Sequence, residues 1–215
     1  MVYLAHYATE VAIQELIRLK SKIDSYDHLM IKRIFLAMNY YILYYPIELV
    51  SRTDMVEKEK LEEQIGEVLG LELAAQKAVE ELSSKGLLDK GGLKDKLQGM
   101  KSEAGDHQRR IEQVMQSVTE SEGLDQQSIR ENAQETSQKA SQMMQTYLGE
   151  DPDTLDALEF LCLAEGGEVT HYEVLDELAK NVKDKKLASE VTSILGEEKR
   201  HLQLCIQLAR ENSSG

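Results

Sequence analysis

The stretches that decide the fold are Glu168-Val169-Thr170-His171 and Glu198-Lys199-Arg200-His201. Each is a Glu-x-x-His, and residues three apart lie on one face of a helix, one turn apart. The two Glu lie 30 residues apart, and so do the two His. This spacing is typical of a helical hairpin in which each Glu is level with the His of the other helix. Two carboxylates and two imidazoles at one level predict a site for two metal ions.

A solvated surface is the alternative location for these two stretches. The chain contains 39 Asp and Glu residues, so one Glu-x-x-His pair on an exposed helix face arises easily by chance. Two copies in register are harder to explain in this way, because the chain has only 5 His. The repeat therefore makes a metal site as good an explanation as an exposed surface, and both remain open at this point.

The composition of the 215-residue chain favours an all-helical protein, since Pro is rare and residues that favour helices dominate. The net charge of −14 predicts a surface that repels nucleic acid and anionic membranes. No signal peptide is visible. The least polar stretch, residues 34–47, is shorter than the roughly 20 residues of a spanning helix. We therefore expect a cytoplasmic protein without a transmembrane segment.

Residues 1–54 predict a separate N-terminal helical hairpin. One helix is expected over residues 3–22 and a second over about 26–45, ended by Pro46. The end of the second helix, residues 39–45, is rich in Tyr and apolar nearly all round, which is typical of a buried helix. It should therefore be buried against the bundle or at a subunit contact, and we expect a homo-oligomer through this hairpin. A membrane-peripheral or partner-binding role of the hairpin is an alternative.

Residues 55–212 predict a bundle of four long helices with one long crossover. The four helices are expected over about residues 55–84, 93–119, 152–181 and 185–211. Residues 125–148, which join the second of these helices to the third, are rich in Gln and Ser. They predict an exposed crossover helix, with a disordered linker as the alternative.

The other half of the predicted site lies in the first two helices of this bundle. Glu103 and His107 are four residues apart, which places both on one face of the second helix. Glu72 precedes Glu103 by nearly the spacing found in the later hairpin. The candidate metal ligands are therefore Glu72, Glu103, His107, Glu168, His171, Glu198 and His201.

Glycines occur near the level of these candidate ligands, at Gly105, Gly166, Gly167 and Gly196. Each costs a helix interior about 1 kcal/mol relative to Ala. We expect them to permit a close approach of helices, or a π-bulge beside the ligands. The alternative is that they are incidental weak points.

From Glu168 to Leu208 the chain resembles the third and fourth helices of the ferritin-like superfamily, in particular rubrerythrin-like di-iron proteins. The resemblance is carried by Gly167-Glu168-Val169-Thr170-His171, Glu197-Glu198-Lys199-Arg200-His201, Leu71-Glu72-Leu73-Ala74-Ala75 and His107-Gln108-Arg109-Arg110-Ile111. It covers roughly residues 57–210 and implies a ferritin-like four-helix bundle with a long crossover.

The same resemblance implies a cofactor and an activity. It implies two bound iron ions, with manganese or zinc as other metals that such ligands suit. It implies oxidation of Fe(II) or reduction of peroxide, in iron handling or oxidative-stress defence, with O₂ or peroxide as the partner. An enzyme of this kind is a di-iron oxidoreductase of the ferroxidase or peroxidase type. Tyr172, beside His171, is expected to pack, with a role beside a ligand as the alternative.

The sequence departs from the family pattern in three respects. Ala104 stands where the Glu of the second helix would fall, with Glu103 one position away. His171 stands where rubrerythrin-type proteins often have Glu, and the Cys-rich electron-transfer module is missing. The departure at Ala104 motivates the alternative function, a non-enzymatic stress-related or scaffolding bundle with a partial metal site.

The two cysteines, Cys162 and Cys205, are nearly level in the predicted last hairpin. A disulfide needs Cα atoms within about 7 Å, whereas packed helices lie roughly 8–10 Å apart. We therefore expect two reduced, buried, structural thiols close to the metal level, neither ligands nor a bridge.

Overall fold

The computed structural model of this protein describes residues 57–213, and these form five helices. They are α1 (57–84 in its described part), α2 (Leu93–Glu122), α3 (Gln126–Leu148), α4 (Thr154–Ala179) and α5 (Lys185–Asn212). No strand occurs between residues 57 and 213. The predicted all-α class is therefore confirmed for this part of the chain.

The described residues belong to one compact unit of the chain, Met55–Gly215. The hairpin predicted for residues 1–54, and the oligomer contact assigned to it, lie outside the described residues. Within residues 57–213, no helix has both the length and the apolar character that crossing a membrane requires.

The ends of the helices follow from capping residues that are neighbours in sequence. Asp125, Asp153 and Asp184 are N-caps whose carboxylates accept hydrogen bonds from backbone N–H groups in the first turn. In a capping box, the Asp153 carboxylate accepts from the Asp156 backbone N–H, and the Asp156 carboxylate accepts from the Asp153 backbone N–H. Gly123 ends α2 with a φ of 67°, which costs Gly no steric strain. Because this cap stands at residue 123, α2 continues a few residues past its predicted end.

Helices α4 and α5 form an antiparallel hairpin. Thr192 Oγ1 donates to Asp176 Oδ1 at 2.6 Å, and Lys199 Nζ lies 2.6 Å from Glu173 Oε1. Residue numbers therefore rise along α5 while they fall along α4. These contacts confirm the antiparallel hairpin that the two Glu-x-x-His stretches predict.

Helices α1 and α2 form a second antiparallel hairpin. Gln76 Nε2 donates to Gln108 Oε1 at 3.1 Å, and Lys101 pairs with Glu80 one turn further along. Helix α2 also packs on α5. The two hairpins are thus neighbours, and their four helices face one another.

Helix α3 joins the two hairpins, so the disordered-linker alternative for residues 125–148 is wrong. The helix runs beside α1 in the same direction, and the backbones come closest at two glycines of α1. A Cβ on Gly66 would lie 2.5 Å from Asn132 Cβ, and a Cβ on Gly70 would lie 2.5 Å from the Ala133 carbonyl oxygen. The absence of side chains at Gly66 and Gly70 therefore allows α3 to pack where it does.

The close approach predicted for the four glycines near the candidate ligands is absent at three of them. A Cβ on Gly166, Gly167 or Gly196 would meet no atom within 4 Å, and a Cβ on Gly105 would meet only the Gln76 side chain. No π-helix occurs in the described residues. The prediction of close packing is wrong for Gly166, Gly167 and Gly196, because these residues face away from neighbouring helices.

The hydrophobic core consists of two clusters along the bundle. Fully buried members of the first are Ile65, Val68, Ile111, Leu175 and Ile194. Fully buried members of the second are Leu82, Leu97, Leu158, Leu161 and Leu208. Both clusters draw on α1, α2, α4 and α5, and a layer of buried polar side chains separates them.

Both cysteines are free thiols. Cys205 is fully buried in the second cluster, with its Sγ 3.8 Å from Met100 Sδ. Cys162 is only half-buried. The prediction of a buried thiol is confirmed for Cys205 and is wrong for Cys162, which lies at the edge of the inward face of α4.

Candidate metal centre

Six ionisable side chains meet in the polar layer between the two core clusters. All four helices of the two hairpins contribute, and no member is more than 6% exposed. The six residues are Glu72, His107, Glu165, Glu168, Glu198 and His201. Burying four carboxylates with two imidazoles is costly unless their charges find partners.

Donor atoms of this layer converge in two groups of three residues. Glu72, His107 and Glu198 form the first group, and Glu165, Glu198 and His201 form the second. In each group the donor atoms lie within 4.8 Å of one another. The two imidazole rings stack with centroids 5.6 Å apart. Because Glu198 belongs to both groups, the arrangement is two adjacent donor sets that share one carboxylate.

Several of these donor atoms have no hydrogen-bond partner. His107 Nδ1 lies 2.6 Å from Glu198 Oε1 and 3.2 Å from Glu72 Oε1, yet neither contact has the directions of a hydrogen bond. Both Glu198 oxygens, Glu72 Oε2 and Glu165 Oε2 are also buried without a partner. Buried polar atoms are nearly always paired in folded proteins. Their convergence here fits coordination of a cation.

Burial and mutual contacts set the charges in this layer. Burial raises the pKa of Glu72 to about 7. Burial, together with the charges of neighbouring carboxylates, raises the pKa values of Glu165 and Glu168. Burial also acts on Glu198, but its contacts with the two imidazoles lower its pKa to about 2. Burial opposes the charged form of His107, and the Glu198 and Glu72 carboxylates nevertheless raise its pKa to about 10. The layer thus holds four carboxyl groups but only two imidazoles that could neutralise them.

Tyr172 is more than a packing residue. It is fully buried, and its hydroxyl donates to Glu72 Oε1 at 2.6 Å. Burial raises the pKa of Tyr172, so the phenol keeps its proton and remains a donor. The hydrogen bond fixes the orientation of the Glu72 carboxylate, which is the alternative role that the sequence allowed.

The second nitrogen of each imidazole points away from the two groups, towards an outer carboxylate. His107 Nε2 lies 3.0 Å from Glu197 Oε2, and His201 Nε2 lies 2.9 Å from Glu103 Oε2. Arg110 Nη1 donates to Glu197 Oε1 at 3.0 Å. The structure therefore places Glu103, a candidate ligand, behind His201 and outside the two groups.

His171, another candidate ligand, also lies outside both groups. Its Nδ1 is 3.1 Å from Glu67 Oε2 and 2.9 Å from Gln64 Nε2, and about a third of the side chain is exposed, at 35%. The expectation that His171 faces Glu198 is not met. The inward face of α4 at this level consists of Glu168 and Tyr172, which leaves position 171 at the edge beside α1.

Glu165 is a member of the layer that the sequence motifs did not single out. It is 2% exposed and precedes Glu168 by three residues, one turn along the inward face of α4. This second pair at i,i+3 spacing is the signal that points to it. Ala104, which is buried, brings no carboxylate where the resemblance expects one.

Comparisons of the chain with protein-family models, with curated proteins and with solved structures give no match. The ferritin-like resemblance therefore rests on the sequence motifs alone.

Proposed function

We propose that this protein is a ferritin-like, rubrerythrin-like protein that binds two iron ions and oxidises Fe(II) or reduces peroxide. The observation that carries the proposal is the Glu198 carboxylate. It is fully buried, neither of its oxygens has a hydrogen-bond partner, and it belongs to both groups of converging donors. A carboxylate shared by both donor groups would suit a site for two neighbouring cations.

The two groups assign ligands to two ions. One ion would be held by Glu72, His107 and Glu198, and the other by Glu165, Glu198 and His201. Glu168, also buried, would complete the set. Carboxylate and imidazole donors suit iron, manganese and zinc alike.

Carboxylate count also supports the proposal. The resemblance expects a Glu at position 104, where this chain has Ala. Glu165, on α4, supplies the inner carboxylate that α2 lacks, so the total number of inner carboxylates is unchanged. Glu103 and His171 are left outside the inner ligand set in this proposal.

The proposal assigns the redox chemistry to the ions and the holding of the ions to the residues around them. When bound, the ions supply that chemistry, in which Fe(II) gives up electrons to O₂ or to peroxide. The residues of the chain hold the ions, the two apolar clusters exclude water, and Tyr172 fixes Glu72. Two antiparallel hairpins joined by the long connection α3 fit the chain path of a ferritin-like bundle.

Elemental analysis tests the proposal most directly. Full-length protein, freed of metal by a chelator and then loaded anaerobically with Fe(II), should hold two iron ions per chain. It should also oxidise Fe(II) in air, or consume peroxide, faster than the buffer alone. The absence of stoichiometric metal would end the proposal.

Variants of the inner residues sharpen this test. Because Glu198 belongs to both groups, Glu198→Ala should abolish binding of both ions, whereas Glu165→Ala should lose only one. His171→Ala should keep both ions, since this imidazole contacts Glu67 rather than the inner carboxylates. Loss of metal in H171A would refute the ligand set.

A non-enzymatic scaffold with a partial site is the second candidate function, and Ala104 is the observation that favours it. A partial site predicts fewer than two ions per chain, or two ions without oxidation of Fe(II) or consumption of peroxide. The loading experiment therefore separates the two functions.

A further inference from the structure

The two imidazoles of the candidate metal centre are held in the same way. In each ring Nε2 faces an outer carboxylate, at 3.0 Å from Glu197 Oε2 for His107 and at 2.9 Å from Glu103 Oε2 for His201. In each ring Nδ1 faces inward, 2.6 Å from Glu198 Oε1 for His107 and 3.5 Å from Glu198 Oε2 for His201. Both histidines of the layer therefore have the same arrangement, with Nε2 towards an outer carboxylate and Nδ1 towards Glu198.

The outer contacts determine where each ring carries its proton. An ionised carboxylate can only accept a hydrogen bond, so Nε2 must donate. Glu197 also accepts a hydrogen bond from Arg110 Nη1 at 3.0 Å, which holds its carboxylate as an acceptor beside His107. A neutral imidazole with its proton on Nε2 directs the lone pair of Nδ1 towards the buried carboxylates. That tautomer is the one that can bind a cation through Nδ1.

We infer that Glu197 and Glu103 are positioning residues that hold His107 and His201 in the tautomer presenting Nδ1 to a bound cation. The inference rests on the proposed function, since it requires a cation at the site. It gives Glu103 a different role from the ligand that the sequence motifs predict.

The two positioning carboxylates differ in how firmly they are held. The Glu197 side chain is 23% exposed and accepts from Arg110, which also donates to Glu190 Oε2 at 2.8 Å. The Glu103 side chain is 49% exposed, and its other charged neighbour, Arg200, is 3.9 Å away. Water can therefore replace the Glu103 carboxylate more readily than that of Glu197. Loss of Glu197 should weaken cation binding more than loss of Glu103.

Zinc binding by the full-length, chelator-treated protein provides the test. Leu at either position removes the acceptor, whereas Gln keeps a carbonyl oxygen that can accept from Nε2. We expect Glu197→Leu to weaken the binding of one zinc ion by about 10–100-fold, and Glu103→Leu to weaken the other by less than about tenfold. Glu197→Gln and Glu103→Gln should recover most of the affinity. If these carboxylates had only a structural role, a Gln variant as stable as the Leu variant would bind zinc no more tightly than the Leu variant does.

A surface carboxylate provides the matched control. Glu173 pairs with Lys199 and its side chain is 53% exposed, close to the exposure of Glu103, but it contacts neither imidazole of the layer. Glu173→Leu removes one negative charge and should bind zinc as tightly as the wild type. Weaker zinc binding in E173L, equal to that of E103L, would show a general charge effect and overturn the inference.

Nitrogen NMR of the zinc-loaded protein, labelled at histidine, reads the tautomers directly. We expect the ring proton on Nε2 in both His107 and His201. In E197L, the Nε2 proton of His107 should exchange faster with water, while that of His201 is unchanged. A ring proton on Nδ1 in the loaded wild type would overturn the inference.

The outcomes separate this inference from the proposed function. A wild-type protein that takes up no zinc and no iron refutes the proposed function itself. Two zinc ions bound equally tightly by the wild type, E197L and E103L refute only the positioning role.

If E197L does not fold, Arg110→Met replaces it, since this change removes the support of Glu197 and keeps the carboxylate. R110M should lower the affinity for one zinc ion by less than about tenfold. An unchanged affinity would contradict the inference.

Discussion

The Tyr172 hydroxyl connects the first core cluster to the candidate metal centre. Tyr172 donates to Glu72 Oε1 at 2.6 Å, and both side chains are fully buried. We expect Tyr172→Phe to lower the free energy of unfolding of the metal-free protein by about 1–2 kcal/mol, because a buried acceptor loses its donor. Urea unfolding in the presence of a chelator measures this change. Tyr147→Phe, at an exposed ring, should stay within about 0.5 kcal/mol of the wild type. Equal stability of Y172F and wild type would contradict this role of the hydroxyl.

The two cysteines should differ in reactivity because they differ in burial. Cys205 is fully buried, whereas Cys162 is half-buried, and burial raises the pKa of both thiols. A thiol reagent should therefore modify Cys162 slowly in the native protein and Cys205 only after denaturation. Cys162→Ser should abolish the native reaction, and Cys205→Ser should leave it intact. Rapid modification of both thiols in the native protein would count against the buried position of Cys205.

At the scale of elements, the contact between α1 and α3 depends on two positions without side chains. A Cβ at Gly70 would lie 2.5 Å from the Ala133 carbonyl oxygen, which belongs to the backbone of α3 and cannot move alone. We expect Gly70→Ala to destabilise the protein by about 1–3 kcal/mol or more through overpacking. Urea unfolding of the variant measures the loss.

A matched glycine gives the opposite expectation. Gly99 is exposed in α2, and a Cβ there would meet no atom within 4 Å. Gly99→Ala should therefore stabilise the protein by up to about 1 kcal/mol, since Ala favours a helix interior over Gly. If G70A and G99A changed stability equally, the close approach of α3 to α1 would be refuted.

At the scale of the whole molecule, the buried layer makes the stability of the metal-free protein depend on pH. The pKa values of Glu72, Glu165 and Glu168 are raised above 4.5, that of Glu72 to about 7. Above pH 4.5 the native state therefore binds more protons than the unfolded chain, and the free energy of unfolding falls as the pH rises. His107, whose pKa is raised from 6.5 to about 10, acts in the same direction above pH 6.5. Glu198, with a pKa lowered to about 2, reduces stability only as the pH falls below 4.5.

We expect the chelator-treated protein to be less stable at pH 8 than at pH 5.5, with Glu72 alone contributing on the order of 2 kcal/mol. Urea unfolding at each pH measures the difference. High salt is the control, because it screens repulsion among the surface charges of this chain, whose net charge is −14, and hardly affects buried groups. The difference should persist at high salt. A stability that rises over this range would refute the burial of unpaired carboxylates in this layer.

The sequence by itself determined those features that depend on neighbours along the chain. Helical periodicity and caps such as Asp153 and Gly123 place the helix ends, because capping acts within one turn. The pair Glu198 and His201 shares one face through i,i+3 geometry alone, and both residues are buried in the layer. The repeat of that spacing was sufficient to predict the antiparallel hairpin of α4 and α5.

Only the tertiary structure decided which side chains meet across helices. Each residue turns a helix by about 100°, so a small rotation set by core packing decides whether Glu165 or His171 faces inward. The orientation of α2 likewise places Glu103 behind His201 and turns its neighbour Ala104 towards the core. The close approach at Gly66 likewise depends on where α3 packs, and no spacing within α1 encodes it. Contacts between helices that are distant in sequence are set by the packing of whole faces, which local periodicity does not specify.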